Sequence, residues 1–200
     1  MGGRRIVISA TPQLLAARAA DEFAAAASLA LRERGRFAVA LSGGKTPRAM
    51  LESLSGRALA WDAVHFFWSD ERCVGPGDPN SNYGMARDAL LSKIAVPDGN
   101  VHRMRGELDP ARGAAAYDAE LRAFFGERAP VFDLLFLGLG PDGHTASLFP
   151  GTAALDVSDV WCTANEVSEP VASPWRLTLT FAAINSASRV IFLVDGADKS

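Results

Sequence analysis

Two cysteines, three histidines and no long apolar run limit what this 200-residue chain does. Cys73 and Cys162 stand far apart and in no CxxC pair. That excludes a disulfide framework and reads as two free thiols in a reducing cytosol. His65, His102 and His144 fall in no HxxxH or HExxH spacing, so no structural metal site is expected. No stretch approaches the roughly 18 consecutive apolar residues of a spanning helix. Ser9-Ala10-Thr11-Pro12 follows Arg4-Arg5 where a signal peptide would need its apolar run. Charge of one sign is also missing: 20 basic and 23 acidic residues are well mixed, for a net charge of −3. That excludes a nucleic-acid groove or a basic membrane face, so an anionic small ligand must meet a local cluster of cations. Internal repeats, low-complexity tracts and linkers are absent. With 48% hydrophobic residues, residues 1–200 read as a single domain with a sizeable core.

What is present is alternation. A long alanine-rich helix is expected after Thr11, with Pro12 in its first turn and Gly35 as its stop. Further helices are expected from Pro47 to about Leu54 with Thr46 as cap, from Tyr83 to Lys93, and from Pro110 to Phe125. The runs RFAVALS, AVHFFWS, VFDLLFLGLG and SRVIFLVDG read as buried strands, with VSDVWCTAN and RLTLTF as further strands and NVHRM as a short one. Strands apolar throughout, alternating with helices, predict a three-layer α/β/α domain around a mainly parallel sheet. Ligands of such sheets sit beyond the carboxyl ends of the strands. Four strand ends carry SGGKTP, SDER, GLGPDGH and DGADK, and that clustering marks a site.

Two of these loops resemble nucleotide motifs and fail on inspection. Gly44-Lys45-Thr46 looks like the end of a P-loop, but the position five residues before Gly44 is Val39, inside the strand, and Pro47 has no amide to donate. What survives is a tight turn through Gly43 and Gly44 at a helix amino terminus, offering free amides to an anion or developing oxyanion; the plainer alternative is a turn that is merely tight. Gly138, Gly140 and Gly143 satisfy the dinucleotide spacing, but only HTASLF, read as a short helical turn, remains before Pro150-Gly151 where a crossover helix is required. The Gly140–Gly143 amides are a second candidate oxyanion donor set. Beside them Asp142 and His144 look more like chemistry, because imidazole takes and returns a proton near neutrality. His65 reads as a packed core residue and His102 is given no role. In SDER, Arg72 is a natural fork for phosphate or carboxylate, although Asp70, Glu71 and Arg72 equally fit a surface ion-pair cluster. Asn82 reads either as a site residue or as the cap of the following helix.

LSGGKTP, FFWSDERCVGPGDPNSNYGMA, DLLFLGLGPDGHTASLFPG and SPWRLTLTFAAIN together resemble the 6-phosphogluconolactonase branch of the glucosamine-6-phosphate isomerase/6-phosphogluconolactonase family, over about Val39 to Lys199. The resemblance implies a fold like those of glucosamine-6-phosphate deaminase and ribose-5-phosphate isomerase. It implies hydrolysis of 6-phospho-D-glucono-1,5-lactone in the oxidative pentose phosphate pathway, with no nucleotide or redox cofactor. His144 matches the family's general base; Asp142 beside it either orients the ring or simply serves the turn. Arg72 and, less securely, Lys199 match residues that hold the phosphate, and Arg176 matches another recurrent basic position. The substrate-binding candidates are therefore Gly43, Gly44, Thr46, Asp70, Arg72, Asn82, Gly140, Gly143, Arg176 and Lys199. Partners are expected to be limited to the sugar-phosphate lactone, in a cytoplasmic monomer or weak homo-oligomer. Family members continue past the last strand into a closing helix, whereas this sequence stops at Ser200, so a truncated chain or a missing closing element is expected. Two rivals share the motifs. A glucosamine-6-phosphate deaminase would carry a glutamate before the proline that follows DGH, where Phe149 stands here. A non-catalytic sugar-phosphate sensor would have no use for His144.

Overall fold

The structure, a computed structural model, describes residues 3–126, 128–167 and 173–196. Helix α1 (Pro12–Arg34) begins and ends where its sequence signals stand: Thr11 accepts a hydrogen bond from the Leu14 N–H, and Gly35 closes the helix at φ 69°. Its buried face is almost all alanine, with Phe23 as the one large side chain, so the helix lies close on the sheet. There follow β1 (Phe37–Leu41), α2 (Lys45–Leu54), β2 (Val64–Trp68), β3 (Asp70–Arg72) and α3 (Asn82–Ala89). Then come α4 (Pro110–Phe125), β4 (Leu134–Leu137), β5 (Cys162–Glu166), β6 (Trp175–Leu179), α5 (Phe181–Asn185) and β7 (Val190–Phe192).

Strands β2, β1, β4 and β7 form, in that order, a wholly parallel four-stranded sheet. Successive side chains on a strand face opposite ways, and adjacent phenylalanines on β2 make the two covers visible. Phe66 packs toward Phe23 of α1, which also meets Phe37 and Phe136. Phe67 packs toward Phe124 and Phe125 of α4 and toward Phe132. All five residues of β1 and all four of β4 are buried. This is the expected α/β/α sandwich.

The remaining strands correct the single-sheet expectation. β3, β6 and β5 form a second sheet, three-stranded and antiparallel. The SDER segment, expected as a loop, is strand β3 of it, and RLTLTF and WCTAN supply β6 and β5. The sheets join at Ser69, whose N–H donates to the Leu41 carbonyl of β1 and whose C=O accepts from the Leu179 N–H of β6. The expected helix over residues 83–93 breaks after Ala89, and a separate 3-10 turn spans Leu91–Lys93. The short strand expected around residue 101 is a single bridge, Val101 to Phe66.

Candidate active site

The carboxyl ends of the parallel strands line up in sheet order. From β1 the chain crosses first to β2 on one side and later to β4 on the other. The order therefore reverses between β1 and β4, which is where a crevice opens in such sheets. A cavity of about 260 Å³ lies there, walled by Ser42, Gly43 and Gly44 beyond β1 and by Asp70, Arg72 and Asn82 beyond β2. Gly138, Leu139, Gly140, Pro141, His144 and Ala146, beyond β4, complete the lining.

The His144 loop is a compact, self-bonded turn, not the short helix its sequence suggested. The Gly140 N–H donates to the His144 carbonyl at 2.8 Å, the Gly143 N–H to the Gly140 carbonyl at 3.1 Å, and the Thr145 hydroxyl to the Gly138 carbonyl at 2.9 Å. Thr145 and Leu148 form a β-bridge around Ala146, whose φ of 49° makes it the one non-glycine in the left-handed region among the described residues. Gly140 is required by contact: a Cβ there would lie 2.2 Å from two atoms of the His144 ring. The ring stacks on Phe149, centroids 3.9 Å apart, and its Nδ1 lies 2.6 Å from Asp142 Oδ1. Burial pushes the Asp142 carboxyl up. The hydrogen bonds from the His144 backbone and ring outweigh this and hold it below the usual carboxylate range. An ionised Asp142 accepts from Nδ1–H, which fixes the neutral tautomer with its lone pair on Nε2.

Across the cavity, Gly43 and Asn82 interlock in the same way. A Cβ on Gly43 would lie 1.9 Å from the Asn82 Oδ1 atom. Asn82 is 2% exposed, and its amide donates to the Asp70 carbonyl at 2.9 Å. It does not cap α3. Ser81 does, accepting from the Gly84 N–H, while Asn82 is the first helical residue. Glu71 anchors this helix start: its carboxylate accepts from the Arg72, Asn82 and Tyr83 N–H groups and the Ser81 hydroxyl. Burial pushes its pKa up, against the lowering of those four donors. The alternative reading of SDER as a surface ion-pair cluster is thus set aside, since Asp70 and Glu71 are both buried. Arg72 lines the cavity and uses one N–H on the Asn80 carbonyl.

The expected site residues therefore separate. Gly43, Gly44, Asp70, Arg72, Asn82, Gly140 and His144 share one cavity, and Asp142 and Gly143 belong to the His144 loop. The cap reading of Thr46 is corrected: α2 begins at Lys45 with Gly44, at φ 108°, as its cap, and Thr46 stands in the first turn, outside the residues that line the cavity. Arg176 is 4% exposed, paired in register with Arg72, and donates to the Ser173 and Trp175 carbonyls behind the cavity wall. Lys199 lies outside the described residues. Ser42 was missed. Its hydroxyl is buried in the cavity wall with no hydrogen-bond partner among the described residues, and its one sequence signal is its place before the Gly43–Gly44 turn.

A parallel α/β/α sandwich thus carries an imidazole–carboxylate pair and an arginine at one switch-point crevice. The sequence profile described as glucosamine-6-phosphate isomerases/6-phosphogluconolactonase matches residues 10–200, and the chain belongs to that family. It is 47% identical over 175 residues to a 6-phosphogluconolactonase of Synechocystis, covering 85% of this chain and 71% of that one. A 6-phosphogluconolactonase of Nostoc is 43% identical over 190 residues, covering 92% and 77%. The solved structure of 6-phosphogluconolactonase from Trypanosoma brucei superposes with a TM-score of 0.89 at 33% identity, covering 96% of this chain and 82% of that one.

Proposed function

We propose that this chain hydrolyses 6-phospho-D-glucono-1,5-lactone to 6-phospho-D-gluconate, with His144 as general base. The observation that carries the reading is the His144–Asp142 contact at 2.6 Å on the wall of a cavity that also holds Arg72. A lactone is a cyclic ester. Opening it needs an activated water, donors for the carbonyl oxygen as it becomes negative, and a proton for the departing ring oxygen. His144 Nε2 takes a proton as water attacks C1, while Asp142 holds Nδ1–H and stabilises the imidazolium. Gly43 and Gly44 line the cavity at the amino terminus of α2, and their amides are the donors for the oxyanion on this reading, each such donor contributing about 3 kcal/mol. The imidazolium then returns its proton to the ring oxygen. Arg72 anchors the phosphate, a role that Lys199 shares on family resemblance alone. The reaction calls on no nucleotide, redox cofactor or metal. Residues 1–200 act as one domain on this reading, in a cytoplasmic monomer or weak homo-oligomer, which size-exclusion chromatography with light scattering checks.

Phe149 favours this over deamination. It occupies the position before Pro150 where a deaminase carries glutamate, and it presents an apolar ring to His144. The deciding assay measures lactone opening, corrected for the spontaneous reaction, on the phosphorylated lactone and its unphosphorylated counterpart. Preference for the phosphorylated form is expected. His144→Ala is expected to lower kcat by about 10²–10⁴-fold with substrate affinity nearly intact. Arg72→Ala is expected chiefly to raise KM. Wild-type turnover in His144→Ala would refute the assignment, as would release of ammonia from glucosamine 6-phosphate by the wild-type enzyme.

A further inference from the structure

The SPWRLTLTF motif places only Arg176 near the chemistry, and the rest of it is unused by the mechanism. The small antiparallel sheet explains it. Register pairs Asp70 with Thr178 and Thr178 with Thr163, and Arg72 with Arg176 and Arg176 with Asn165. Directly opposed residues of antiparallel strands share a face, so one side of this sheet is polar throughout. Against it sits Ser147, three residues beyond His144 and 2% exposed.

Ser147 is held at every polar atom. Its hydroxyl donates to Asp70 Oδ2 at 2.8 Å, its N–H donates to Thr178 Oγ1 at 3.2 Å, and its carbonyl accepts from Asn165 Nδ2 at 2.9 Å. The three partners come from the three different strands, and Thr178 and Asn165 are 0% and 4% exposed. Neither Thr178 nor Asn165 lines the cavity. Between Ser147 and His144 the chain has little freedom, because the Thr145–Leu148 bridge closes the turn and Ala146 is fixed at φ 49°. A residue in that region persists where its surroundings over-determine it.

We infer that Thr178 and Asn165 are positioning residues for the lactone hydrolysis: through Ser147 they set where the His144 imidazole stands over the cavity. The small sheet is then a receptor for the catalytic loop. The inference rests on His144 as the base, and the experiment separates the two. Thr178→Val keeps the shape and removes the acceptor for the Ser147 N–H. It is expected to lower kcat roughly 10-fold, since small misplacements of a catalytic group are costly, with KM within about twofold. Thr178→Ser restores the hydroxyl and is expected to restore kcat. Asn165→Ala tests the carbonyl side independently and carries the question if Thr178→Val does not fold. A purely structural role would lower the melting temperature and leave the kcat of folded protein untouched. Unchanged kcat in folded Thr178→Val or Asn165→Ala, alongside an inactive His144→Ala, overturns the positioning role and leaves the general base standing. An active His144→Ala overturns both.

Discussion

The two sheets of this protein bury opposite kinds of surface. The parallel sheet is almost wholly apolar, with His65 of β2 as an exception, and its strands β1 and β4 carry only hydrophobic side chains. The antiparallel sheet buries Asp70, Glu71, Asn165, Arg176 and Thr178 within three short strands. Apolar contact is non-directional and roughly additive in area, so the first sheet tolerates small displacements. Buried hydrogen bonds are directional and costly to leave unmade, so the second sheet accepts one arrangement of the loop above it. Stability and placement are thereby assigned to different parts of the molecule.

Substitutions that strike one sheet and spare the other test the division. Phe66→Ala, in the interior of the parallel sheet, is expected to cost about 3–5 kcal/mol in denaturant unfolding while turnover per folded molecule stays unchanged. A loss of turnover in folded protein would break the comparison. Gly140→Ala should do the reverse. A Cβ at that position displaces the imidazole, so kcat is expected to fall about 100-fold with little change in the unfolding midpoint.

A smaller effect concerns pH. Burial, with His102 and Arg36 nearby, lowers the His65 pKa from 6.5 to about 4. His102 in turn reaches Glu120 at 2.9 Å, and neither residue lines the cavity that holds His144. The fold favours neutral His65, so its contribution is intact above pH 6.5, declines as pH falls toward about 4, and is constant below that. Unfolding midpoints compared between wild type and His65→Gln across this window should converge on acidification. Parallel curves would exclude His65 as the cause. The smallest effect belongs to Ser42→Ala. Removing a buried hydroxyl without a partner should cost no stability, and KM should rise severalfold if the hydroxyl meets substrate. A drop in melting temperature would show that Ser42 has a structural partner instead.

The same contrast explains what could be read from the chain. The parallel strands announce themselves as continuous apolar runs, and α4 runs from Pro110 to Phe125 as its sequence indicates, with Asp109 as cap. His144, Asp142 and Arg72 stand at strand ends, where chemistry is expected. The antiparallel sheet was illegible because its strands look like polar loops or ordinary strands one at a time. Asp70, Ser147, Asn165 and Thr178 gain meaning only once folding brings them together, and the sequence separation of 77 residues between Ser147 and Asp70 carries no local pattern. The cap readings of Thr46 and Asn82 fail for a smaller reason. Thr46 stands two residues beyond Gly44 and Asn82 one beyond Ser81, and those earlier residues hold the cap positions.

Ser69 has a consequence for how the molecule moves. One peptide unit on each side of this residue is shared: its amide belongs to the parallel sheet and its carbonyl to the antiparallel one. The seam is therefore a pin and not a gap. The Ser69 and Leu179 amides are a probe of the seam: matched deuterium exchange rates would show that the two layers open as one unit, and unequal rates that they open separately.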